Sequence, residues 1–248
     1  MRPFLLLFGL NFFLLMVGCS APQDDSVAMR GADDSLIVRI QKKIEEKQEL
    51  ARLRMELLNS PVGRSIKKYK PIIKKYAKRY GFDWRLIAAQ IVQESGFRER
   101  ARSRVGARGL MQIMPYTARE ISRELDIQYI MKNPRENITA GIYHLSKQMK
   151  YFRDARFPDR ARLALASYNA GAGRVFDAQD IAAYFHQPTN QWPVVKPYLT
   201  MLKRSDWELH LQVWPEGVPR HGYFYGFRET LNYVSGIWAR YQLYKKIL

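Results

Sequence analysis

Glu94 stands near the end of an apolar segment, Trp84 to Ser95, with Ile91 and Ile87 one and two turns before it. A glutamate against an apolar wall has its charged form disfavoured, so its carboxyl should hold a proton to higher pH than usual. A carboxyl that stays protonated near neutrality can act as a general acid. Taken alone the signal is weak, because most glutamates at helix ends are simply solvated. Other chemistries are narrowed by counting. The single cysteine, Cys19, excludes internal disulfides and any multi-cysteine metal site. His144, His186, His210 and His221 are isolated, and no pair has metal-ligand spacing. They read as surface or structural residues, and neither a metal nor a cofactor is expected.

The elements that must hold such a carboxyl read as helices. Tyr69, Ile72, Ile73, Tyr76 and Tyr80 form one helical face that Gly81 closes. Asp83 is an N-cap for the segment ending at Ser95, and Gly96 stops it. Pro115 opens a helix to about Leu125, and Asn133-Pro134 opens another that carries Ile138, Ile142, Leu145 and Met149. Leu163 to Tyr168 is short and apolar, and residues 229–246 form a last amphipathic helix. Only Leu209–Val213 and His221–Phe227 show any β alternation. The class is mainly α. Residues 176–228, rich in Pro and aromatics, are the least regular part. There Trp192, Trp207, Trp214, Tyr223, Phe224 and Tyr225 could stack on sugar rings or pack irregularly on the domain.

The chain has 248 residues, 47% of them hydrophobic, enough for a core without a metal or disulfide staple. Lys and Arg number 41 against 23 Asp and Glu, a net charge of +18, which favours anionic partners. Arg2 precedes an apolar run from Phe4 to Val17, too short for a membrane-spanning helix and shaped like a secretory signal. Its end, Met16-Val17-Gly18-Cys19, resembles the bacterial lipobox, in which the cysteine is lipid-modified. The expected organisation is a lipoprotein signal peptide at 1–18, a flexible tether at 19–35 beginning with lipidated Cys19, an amphipathic helix and linker at 36–63, and a catalytic domain at 64–248. Ser20 after the cysteine points, by resemblance to lipoprotein sorting in Gram-negative bacteria, to the outer membrane facing the periplasm. A chain that leaves the cytoplasm is not expected to meet nucleic acid. The membrane surface and the cell wall remain as polyanions.

Four ordered motifs accompany Glu94. They are Glu94-Ser95, then Gly109-Leu110-Met111-Gln112, then Tyr168-Asn169, and late in the chain Glu229-x-x-x-Tyr233-Val234. Together they resemble the catalytic domain of the soluble-type (SLT) family of lytic murein transglycosylases, and the late stretch from Trp192 to Gly226 is similar to that of the membrane-bound F-type enzymes. The resemblance implies a lysozyme-like fold over roughly 64–248. The F-type enzymes also carry an N-terminal solute-binding-like domain; this sequence has no room for one, so any regulation tied to it is expected to be absent. Glu94 then matches the catalytic acid/base. Ser103 matches a hydroxyl near the reacting sugar or the glutamate. Gln112 and Met114 match positions gripping the glycan, Tyr168 and Asn169 a pair facing the carboxyl, and Glu229 a late glutamate that supports binding. Ser167 replaces a more common alanine, while Ser95 and Tyr233 read as no more than helix-end and core residues.

The implied reaction cleaves the β-1,4 bond between N-acetylmuramic acid (MurNAc) and N-acetylglucosamine (GlcNAc) in peptidoglycan without water, leaving 1,6-anhydro ends. A hydrolytic muramidase using Glu229 to position water is an alternative. An inactive peptidoglycan-binding lipoprotein is another.

Overall fold

The computed structural model describes residues 25–248, with side chains from Ser35 onward. The stretch read as a signal peptide, Cys19 and the first part of the expected tether lie outside the described residues. The chain forms two units, one up to Gln48 and one over Glu49–Leu248.

Helix α1 spans Asp25–Asn59. It begins inside the stretch read as a flexible tether, so the later part of 19–35 is helical. Residues 25–35 hold one glycine and no proline, a composition compatible with a helix. In the first unit Leu36, Ile37, Val38, Ile40 and Ile44 are all about half exposed. In the second, Leu50 and Leu57 pack on the core.

The second unit is a cluster of helices built around one central rod. Helix α2 (Pro61–Arg79) starts on Ser60, whose hydroxyl accepts from Gly63 N at 3.0 Å, and buries Ile66, Tyr69, Ile73 and Ala77. A Cβ on Gly63 would lie 1.9 Å from the Leu57 carbonyl, so this turn requires glycine. Helix α3 (Trp84–Ser95) is capped by Asp83, which accepts from Arg85 N, and ends on Gly96 in the left-handed region at φ 58°. It buries residues on every side, from Leu86 to Ile91, as a helix at the centre of a domain must. Helices α2 and α10 (Phe227–Ile247) pack against it, and α10 also rests on α6 (Asp159–Ala170). The remaining elements are α4 (Pro115–Leu125), α5 (Pro134–Tyr151), α7 (Ala172–Tyr184), the short α8 (Trp192–Val195) and α9 (Trp207–Val213).

Among the described residues there is no strand, only isolated bridges between Arg102 and Arg108 and between Arg108 and Ile113. The mainly α class holds. The β alternation at Leu209–Val213 is helix α9, whose His210 and, four residues on, Trp214 are both buried and whose rings lie 5.5 Å apart. Five residues are too few to separate period 2 from period 3.6. Residues 221–226 are loop, bound to α7. Buried Asp177 accepts from His221 N at 3.1 Å and meets its Nδ1 at 2.9 Å, while Trp214 Nε1 donates to Asp180 at 3.0 Å. These contacts fix the approach to α10.

The segment from Gly96 to Met114 has no regular structure and is held by polar contacts with its neighbours. Asn137 of α5 is buried, accepts from Met111 N at 2.8 Å, and donates to the carbonyls of Arg108 and Ile130, both at 3.0 Å. A Cβ on Gly141 would come within 2.4 Å of Met111 Sδ, so α5 offers the loop a flat surface there. Replacing Asn137 by Ala leaves Met111 N and Ile130 O without partners, while Arg108 O keeps its bond from Ile113 N at 3.0 Å; two orphaned backbone groups cost roughly 2 kcal/mol. Urea denaturation of Asn137→Ala measures it. A loss below about 0.5 kcal/mol would mean the loop is held by other contacts.

Candidate active site

Glu94 lies in the last turn of α3 and faces a cavity of about 470 Å³. All seven residues expected to serve catalysis or glycan binding line it: Glu94, Ser103, Gln112, Met114, Tyr168, Asn169 and Glu229. Tyr233, read from the sequence as a core residue, lines it too, as do Asn232 and Gln93, which sequence reasoning did not single out. Among the described residues no group of three or more His, Cys, Asp or Glu could hold a metal ion.

Tyr233 is the main correction. It occupies a buried position on α10, as a core residue would, but its hydroxyl donates to Glu94 Oε1 at 2.5 Å. The Tyr233 hydroxyl oxygen in turn accepts from Gln90 Nε2 at 3.1 Å. Burial pushes the Glu94 carboxyl up to about 8. The Tyr233 hydrogen bond pulls the other way, and the charge of Glu229 adds to the rise. Tyr168 and Tyr233 are themselves pushed well above the usual phenol range by burial and by the nearby Glu94 charge, so both stay protonated donors. With Oε1 accepting from Tyr233, the acidic proton of Glu94 belongs on Oε2.

The other side chains divide between bracing and lining. Ser95 is more than a helix-end residue, since its buried hydroxyl donates to Leu110 O at 2.8 Å and ties α3 to the loop. Tyr168 donates to Met111 O at 2.8 Å. Its ring meets that of His144 edge-on, with centroids 4.9 Å apart. Burial pushes His144 down to about 4, which keeps it neutral. His144 and fully buried His210 are thus interior residues, His221 is paired with Asp177, and only His186 is simply exposed. Ser103 Oγ accepts from Ala107 N at 2.9 Å, which leaves its own proton to donate into the cavity. Gln112 adopts φ 46°, an uncommon left-handed value for a non-glycine residue, and its Nε2 donates to Gly109 O at 2.8 Å. Asn169 Oδ1 accepts from Thr230 Oγ1 at 2.7 Å, which orients its amide N–H groups away from α10. Met114 and Glu229 are exposed at the rim. None of the six aromatics weighed as sugar platforms lines this cavity. Trp192 and Trp214 are buried in the core instead. The buried Ser167 hydroxyl has no hydrogen-bond partner.

A cavity holding one neutral acid, two buried phenols, an amide and hydroxyls is suited to proton transfer on a polar, uncharged substrate. The rise of Glu94 has a cost for folding. Unfolded glutamate titrates near 4.3, so between roughly pH 4 and 8 the folded state binds the extra proton and stability falls as pH rises. Glu94→Gln cannot ionise. Its melting temperature relative to the wild type should therefore climb between pH 5 and pH 9, by about 2–4 °C for each kcal/mol relieved. A gap that stays constant with pH would contradict the raised Glu94.

Residues 71–190 match the family model described as the transglycosylase SLT domain. Among curated relatives, the membrane-bound lytic murein transglycosylase F of Desulfosudis oleivorans is 37% identical over 183 residues, covering 72% of this chain and 37% of that protein. A protein named membrane-bound lytic murein transglycosylase F 1 from Alkalilimnicola ehrlichii is 32% identical over 190 residues, covering 76% and 36%. The chain spans little more than a third of the length of these relatives. A solved structure of the lytic transglycosylase Slt from Pseudomonas aeruginosa, an inactive mutant, aligns at 30% identity over 72% of this chain and 24% of that one, with a TM-score of 0.44. Residues 71–190 are a transglycosylase SLT domain.

Proposed function

We propose that this chain is a peptidoglycan lytic transglycosylase that cleaves the MurNAc–GlcNAc β-1,4 bond without water. The observation that carries the reading is the Glu94 carboxyl in the cavity wall, held protonated near neutral pH and hydrogen-bonded through Oε1 by Tyr233. Glu94 donates its Oε2 proton to the glycosidic oxygen as the bond from MurNAc C1 to that oxygen breaks, and GlcNAc departs with a new hydroxyl. The resulting carboxylate takes the proton of the MurNAc C6 hydroxyl as that oxygen bonds to C1. The acid is regenerated and a 1,6-anhydro ring closes. The nucleophile belongs to the substrate, so the attack is intramolecular and entropically favoured. Tyr168, Asn169 and Ser103 supply dipoles beside the oxocarbenium-like centre, and Gln112, Met114 and Glu229 bind the glycan.

Glycosidases that use water as nucleophile ordinarily place a second carboxylate opposite the acid. Glu229 supports a muramidase reading, because it lines the same cavity and its charge reaches Glu94. In the favoured reading it binds glycan. The membrane-bound relatives, the lipobox-like end at Cys19 and the absence, among the described residues, of any helix able to cross a membrane support anchoring through a lipid on Cys19. That would hold the enzyme at the outer membrane, facing the wall it remodels. The +18 charge suits a carboxylate-rich wall polymer.

Mass spectrometry of a sacculus digest is the direct test. Products ending in anhydro-MurNAc are one water lighter than reducing ends, and reducing ends alone would replace this proposal with the muramidase. Glu94→Gln should lower kcat by about 10²–10⁴-fold while glycan binding changes little. Full activity in that variant would remove Glu94 from the mechanism.

A further inference from the structure

Gln90 precedes Glu94 by one helical turn on α3 and is fully buried. Its Nε2 donates to Tyr233 Oη at 3.1 Å, and its Oε1 has no hydrogen-bond partner. A buried amide oxygen left without a partner is costly, and an apolar side chain of the same length would avoid the cost. The amide therefore has only one productive contact, the bond to the phenol that serves Glu94.

We propose that Gln90 is a positioning residue for the reaction above. By donating to Tyr233 Oη, it commits the one phenolic proton to Glu94 Oε1, so that the transferable proton of Glu94 sits on Oε2, in the cleft. Tyr233 has a single O–H, and an oxygen that accepts from Gln90 orients that O–H away from α3's amide and toward the carboxylate. Without the Gln90 donor, the Tyr233 hydroxyl can rotate and accept a proton from Glu94 instead, which traps the acidic proton on Oε1, the oxygen facing Tyr233. The donation also strengthens Tyr233 as a donor, since hydrogen bonds in a chain polarise one another. Gln90 thereby tempers the effect of burial on Glu94.

Glu94 is faced by Tyr233 and Glu229 from α10 and by Tyr168 from α6. It also shares a second cavity with Arg98, Arg100 and Arg102 of the following loop. None of these changes when Gln90 alone is altered. The inference rests on the proposed function, and the experiment separates the two. Wild-type product masses test the function. The pH dependence of kcat in Gln90→Met tests Gln90, because methionine keeps the length and loses the donor.

The expected result is a roughly tenfold lower kcat with KM little changed, and a basic limb moved upward on the order of half a pH unit. In a Tyr233→Phe background the same substitution should add nothing further. An unchanged limb in a folded Gln90→Met protein, or an equal loss in the Tyr233→Phe background, overturns the assignment. A limb that moves downward overturns it as well, since that would mean the amide oxygen accepts the Tyr233 proton. Gln90→Leu serves as a second variant if Gln90→Met fails to fold, with the same outcomes applying.

Discussion

One hydrogen bond, from Tyr233 to Glu94, sets what the site can be. It spans 139 positions of sequence and exists only because α3 and α10 pack against each other. Two opposing effects meet in it. Burial penalises the carboxylate, and the phenol stabilises it by donating to it. Burial is the larger, so the carboxyl settles near 8 instead of returning to the usual glutamate range. A deeper site without the phenol would hold the proton too tightly to release it, and an exposed site would have lost it well below neutrality. The packing of α3 and α10 is what fixes the balance.

The loop opposite that bond is held by a different kind of force. Its backbone meets Ser95, Asn137 and Tyr168 through hydrogen bonds, and its side chains meet a flat patch at Gly141. Apolar packing alone tolerates sliding, whereas buried polar contacts accept one arrangement only. A loop that carries Gln112 in a strained left-handed conformation needs such a frame. The glycines and the asparagine are therefore part of the site, although none of them but the backbone they fix reaches the cavity.

Much of this was legible in the sequence where the signal is local. Asp83 and Gly96 bound α3 because capping depends on residues one or two positions away. Asn133 and Pro134 mark the start of α5 for the same reason. Tyr233 was not legible. Thr230, Tyr233, Val234, Ile237 and Tyr241 follow the ordinary spacing of a buried helix face, and a hydroxyl in that row gives no local sign that it meets a carboxyl on another helix. Gln90 was hidden likewise, as a polar residue in an apolar run. Trp192 and Trp214 could not be sorted from Trp207 before the folding of the 185–226 segment was known, since core and surface aromatics there share the same proline-rich context. The early start of α1 reflects composition, with acidic and small residues reading as coil although residues 25–35 have only one glycine and no proline.

The two carboxylates of the cleft show how position on a helix assigns different tasks to one residue type. Glu94 sits in the last turn of α3, beside carbonyls whose dipoles disfavour a second negative charge, and it is half-buried. Glu229 sits in the first turn of α10, where free N–H groups stabilise an anion, and it is exposed. One environment favours the neutral acid and the other a standing charge. Glu229 is the smallest of the three influences on Glu94. The asymmetry is sufficient for a reaction that needs one proton donor and takes its nucleophile from the substrate.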